Sequence, residues 1–124
     1  MLEARLDLGN DEIVLRAVRE WISKTLEVLP PDLLDDVLLV ANELVSNMID
    51  HAEGPRSLSL RLRDGQLRVE ATDGSPRATP IVGRSRLSES RGRGLIIVNA
   101  CSTSWGVDLA HDHKTVWAEV PLGT

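Results

Sequence analysis

The sequence has no phenylalanine and no tyrosine, and its only aromatic residues are three tryptophans among 124 residues. A hydrophobic core must therefore be built from Leu, Val, Ile and Ala. A single cysteine, Cys101, excludes an internal disulfide framework and suits a reducing compartment. No apolar run approaches the roughly 20 residues needed to cross a bilayer. Met1 to Asn10 is too short and too acidic to read as a signal peptide. A cytoplasmic protein without a membrane partner is the expectation. Basic residues are in deficit, 14 against 19 acids, and the net charge of −5 argues against direct contact with nucleic acid. What remains is enough for one domain, 1–124, with a core of its own.

Charge is unevenly spread. Residues 1–53 hold 12 of the 19 acids. Residues 77–93 hold Arg77, Arg84, Arg86, Arg91 and Arg93 against one acid, Glu89. Such an island in an acidic chain reads either as a local anion site or as a solvated loop.

Hydrophobic periodicity sets the expected elements. Leu2 to Leu8 alternates and predicts a short strand. Asn10 is a suitable N-cap, and Val14, Val18, Trp21, Ile22 and Leu26 follow a helical period up to Pro30-Pro31. A second helix is expected from Pro31 or Asp32 to about Ala52, ended by Gly54-Pro55. Ser57–Arg63 and Gln66–Thr72 alternate with period two around Asp64-Gly65, a hairpin signal. Residues 74–91 form a long aperiodic loop, the kind that compact domains keep for function. A short buried helix over Leu95–Cys101 and strands over 104–109 and 114–120 complete the order β-α-α-β-β-loop-α-β-β. The fold class expected is an α+β two-layer sandwich, with a mainly antiparallel or mixed sheet and helices packed on one face.

The second helix carries Glu43, Asn47 and His51 four residues apart in an otherwise apolar stretch. That spacing stacks all three on one face. They either satisfy one another or line a cavity. Asn47 offers an oxygen suited to Mg²⁺, and Glu43 near a phosphate can act as a general base. Asp73, followed by Gly74-Ser75-Pro76, can accept a bond from a ligand amine or simply form a turn. Gly92-Arg93-Gly94 entering a helix lets backbone N–H groups approach a phosphate, with Arg91 and Arg93 adding charge. It is neither a dinucleotide fingerprint nor a P-loop. His111-x-His113 lacks the cysteine or carboxylate partners of a metal site. Cys101 reads as an inert thiol, and the tryptophans as core or interface anchors.

Taken in order, these segments resemble a known family. Glu43-Leu44-x-x-Asn47-x-x-x-His51-Ala52 resembles the N box of the histidine-kinase-like (GHKL, Bergerat-fold) ATPases, and Asp73-Gly74-Ser75-Pro76 their first glycine box. Gly92-Arg93-Gly94-Leu95-x-x-Val98, Trp105-Gly106-Val107 and Lys114-Thr115-Val116-Trp117 resemble the anti-sigma-factor serine kinase branch, in particular its small actinobacterial ATP-binding regulators. Two positions depart from the pattern. Pro76 stands where glycine is usual, and Asp112-His113 replaces a Gly-Gly before Lys114.

The resemblance implies a histidine-kinase-like ATPase domain binding ATP and Mg²⁺ under a mobile lid at about 74–91. Asn47 would hold the metal and Glu43 would be the catalytic base. Asp73 would bond the adenine amine, with Thr115 supporting it. Arg91, Gly92, Arg93, Gly94 and Leu95 would complete the nucleotide site, and His51 would support the structure. The implied function is an ATP-binding anti-sigma regulatory factor with serine/threonine protein kinase activity. Its partners would be a sigma factor and a small STAS-type anti-anti-sigma protein, and the chain would form a homodimer. The alternative reading is a nucleotide-gated binding module without kinase activity.

Overall fold

Period-two alternation builds a five-stranded antiparallel sheet. A computed structural model describes residues 2–9, 15–51, 54–74 and 97–122. The strands are β1 (Glu3–Gly9), β2 (Arg56–Arg63), β3 (Gln66–Asp73), β4 (Ser104–Leu109) and β5 (Lys114–Pro121). Helices α1 (Leu15–Thr25) and α2 (Pro31–His51) lie between β1 and β2. The sheet order is β1-β2-β3-β5-β4, so β5 enters between β3 and β4. The expected two-layer α+β architecture is the one observed.

Register sorts the side chains onto two faces. One face carries Leu58, Leu60, Leu67, Val69, Ala71, Val116, Ala118 and Val120, all buried. Against them pack Val37, Val40, Ala41, Leu44, Val45 and Met48 of α2, with Val18 and Ile22 of α1. Among the described residues no aromatic side chain belongs to this buried set, and Trp21 and Trp105 pack against it half-buried. Each fully buried leucine or valine contributes about 1.5–3 kcal/mol, so aliphatic packing alone sustains this core.

Local signals explain the connections. The Pro30 carbonyl accepts from Leu34 N–H at 3.0 Å, which makes Pro31 the first helical residue of α2. Asp64 and Gly65 both have positive φ, 52° and 74°, the geometry of the tight hairpin turn that Asp-Gly favours. The helical segment 97–101 differs from expectation. Val98 is buried, but Asn99 and Ala100 are exposed, so its described part is an edge element. The Trp105 indole N–H donates to Asn99 Oδ1 at 2.6 Å and ties this segment to β4.

The outer face of the sheet is mostly polar. Trp117 lies there, away from the core, with the Arg68 guanidinium 4.1 Å from its ring centre. Arg68 also bonds Glu70 at 2.8 Å and Glu119 at 3.4 Å. On the neighbouring strand Gly106 makes room for the ring, since a Cβ there would sit 2.9 Å from it. Gly106→Val is therefore expected to destabilise the fold by about 1–3 kcal/mol in urea unfolding, although valine favours strands. Equal stability would show that the indole is free to move aside.

Candidate functional site

The apolar surround of α2 fixes where its polar row can point. Glu43 and Asn47 are half-buried, one turn apart, between the buried Val40, Ala41, Leu44 and Met48. The amide oxygen of Asn47 is buried and accepts no hydrogen bond among the described residues. An unmet buried acceptor costs about 1–3 kcal/mol, so the position favours a group that supplies a donor or a cation. A hard oxygen of this kind fits Mg²⁺, which takes one or two protein ligands and fills the rest with water and phosphate. His51 is the last residue of α2.

At the end of β3 lies Asp73, 2% exposed, and across from it Lys114, 4% exposed, opens β5. Their Nζ and Oδ2 atoms are 3.7 Å apart. The sequence reading put Thr115 beside Asp73, but the strand's alternation turns its side chain to the outer face. There its hydroxyl meets Thr72 Oγ1 at 2.9 Å. Lys114 takes the place beside Asp73. The signal was present in Val116, Ala118 and Val120, whose burial fixes the inward parity that Lys114 shares.

Gly74 follows Asp73 and packs on the turn between α2 and β2, where any Cβ would collide with the Gly54 carbonyl. Asp73 and Gly74 border a depression of about 420 Å³, shared with Arg56, Ser57, Asp112 and His113. The His113 Nδ1 lies 2.7 Å from Asp112 Oδ1, and this hydrogen bond holds the Asp112 carboxyl below its usual range. Among the described residues no three His, Cys, Asp or Glu side chains gather as a metal site. A second depression, about 370 Å³, lies between Arg61, Arg63, Arg68, Glu70 and Glu119 on the outer face. It faces away from Asp73 and α2, and ion pairs among its own residues cross it.

Cys101 sits 3.8 Å from Asp36 Oδ1 of α2. Burial, then the Asp36 charge, pushes its thiol up, in keeping with an unreactive cysteine. The expected phosphate residues Arg91, Gly92, Arg93, Gly94 and Leu95 lie outside the described residues, as do residues 75–91 of the expected lid. Among the described residues, Glu43 and Asn47 thus lie on α2, which packs on the inner side of the sheet, and the Asp73–Lys114 pair lies on that same side of β3 and β5.

Comparison with known proteins adds a family. Residues 7–119 match the model of the histidine kinase-like ATPase domain. An uncharacterized protein of Streptomyces coelicolor is 33% identical over 85 residues, covering 65% of this chain and 80% of that protein. Among solved structures, the RsbU and RsbW domains of Rv1364c from Mycobacterium tuberculosis superpose with a TM-score of 0.70 at 16% identity. That match covers 98% of this chain and 33% of the other, so the chain spans about a third of its length. The Acinetobacter baumannii histidine kinase AdeS superposes with a TM-score of 0.57 at 13% identity, covering 100% of this chain and 69% of that one. At such identities the structural matches speak to the fold. No helix among the described residues is long and apolar enough to cross a membrane.

Proposed function

This chain belongs to the histidine kinase-like ATPase domain family, and from that membership we propose that it is a cytoplasmic ATP-binding anti-sigma factor that phosphorylates a small partner protein. The observation carrying the proposal is the buried amide oxygen of Asn47, without a hydrogen-bond donor among the described residues, one helical turn after Glu43. The fold shared with the RsbU and RsbW domains of Rv1364c is compatible with this reading. The substrate would be a serine hydroxyl on a STAS-type anti-anti-sigma protein, and the competing partner a sigma factor.

In this reading Asp73 accepts a hydrogen bond from the adenine amine. Asn47 would hold Mg²⁺, whose chemistry there would be to offset phosphate charge during transfer. Glu43 takes the proton of the attacking serine hydroxyl. The serine oxygen bonds the γ-phosphorus as the bond to the β,γ-bridging oxygen breaks, and ADP leaves with that oxygen. Catalysis of this kind rests on positioning and charge stabilisation, and a helix packed into the core on both flanks of Glu43 provides a rigid mount.

The test is transfer of labelled γ-phosphate to a purified STAS-type partner. Phosphoserine that forms only with ATP and Mg²⁺ is the expected result. Tight Mg·ATP binding without transfer would overturn the kinase reading and leave a nucleotide-gated switch. That second reading has its own support in Pro76 and Asp112-His113, which stand where the family usually has glycine.

A further inference from the structure

Lys114 belongs to no part of the reaction described so far, yet it is the side chain that β5 sets against Asp73. Both groups are buried, 4% and 2% exposed, at the same end of the sheet. Their separation of 3.7 Å exceeds the roughly 2.7–2.9 Å of a charge-assisted N–H···O bond. They attract each other without forming such a bond. An ammonium only donates and a carboxylate only accepts. A group presenting a donor beside an acceptor can therefore serve both at once.

The pairing edge of adenine has this arrangement: its exocyclic amine donates and the adjacent ring N1 accepts. A purely structural role explains less, because a buried ion pair is often no more stabilising than apolar side chains of similar volume. Thr115, turned to the outer face by the strand, leaves Lys114 as the β5 side chain available here. We propose that Lys114 is a specificity-determining residue of the nucleotide site, donating to adenine N1 while Asp73 accepts from the 6-amino group. The proposal rests on the ATP-binding reading above.

Calorimetric titration of the wild-type chain and Lys114→Met with ATP and with 1-deaza-ATP tests it. The analogue keeps the amine and replaces N1 with C–H. Wild type is expected to bind ATP at least about tenfold more tightly than the analogue, the scale of a lost hydrogen bond to a charged group. Lys114→Met is expected to weaken ATP binding by about that factor more than binding of the analogue, because both nucleotides share any loss from the uncompensated Asp73 charge. Equal wild-type affinities for the two nucleotides would overturn the assignment, and that comparison needs no substitution to fold. Equal weakening of both by Lys114→Met would also overturn it, by making Lys114 a counter-ion of Asp73 alone. Failure of the wild type to bind ATP at all would instead overturn the proposed function.

Discussion

Glu43→Ala is expected to lower phosphoryl transfer by about a hundred- to ten-thousandfold while ATP affinity stays near that of the wild type. The range is that of a lost general base. Binding should survive because the residue acts on the incoming hydroxyl, whereas the base and phosphates of ATP are held elsewhere. Glu43 is also only half-buried, so the substitution removes no fully buried side chain. Single-turnover transfer from labelled ATP gives the rate, and titration with a fluorescent ATP analogue gives the affinity. Partner switching assayed alongside separates the two functional readings. If Glu43→Ala still switches between sigma factor and anti-anti-sigma protein as the wild type does, regulation proceeds by nucleotide-gated binding and the kinase reading loses. A parallel loss of transfer and ATP binding would place Glu43 in the nucleotide contact and remove it as the base.

Asp73→Ala should produce the largest loss of stability, about 3–5 kcal/mol, because it leaves the Lys114 ammonium buried without its counter-charge. Urea unfolding followed by far-ultraviolet circular dichroism measures this. The double variant Asp73→Ala/Lys114→Met should recover part of the loss, since it leaves no ammonium buried without a counter-charge. Neither variant should bind ATP with wild-type affinity. A loss under about 1 kcal/mol for the single variant would mean that the lysine's flexible stem carries its charge out to water, so that the pair is not a fixed feature of the site.

Much of the fold was legible because its determinants are local. Alternation in Ser57–Arg63 and Gln66–Asp73 marks two strands, and Asp64-Gly65 between them leaves little freedom of register. Pro31 at the first position of α2 and the break at Gly54-Pro55 bracket a helix most of whose apolar residues are needed for a core. The same spacing made Glu43 and Asn47 visible, since residues four apart on a helix share a face wherever the helix ends up.

Other features were hidden because they depend on which strands become neighbours. Trp117 reads as a core or interface anchor, and its place is settled only when β5 is set between β3 and β4, with Gly106 on one side and Arg68 over the ring. Thr115 and Lys114 are adjacent in sequence, and a strand sends adjacent side chains to opposite faces. The family resemblance pointed to Thr115, whereas the parity of Val116, Ala118 and Val120 selects Lys114 as the neighbour of Asp73.

The sequence by itself determined the element order, the aliphatic core and the polar row on α2, because propensity and periodicity act over a few residues. Only the tertiary structure decided that Lys114 opposes Asp73 and that the Asn47 oxygen is buried without a donor among the described residues. Both depend on strand register and on packing between segments far apart in the chain, which no local pattern encodes.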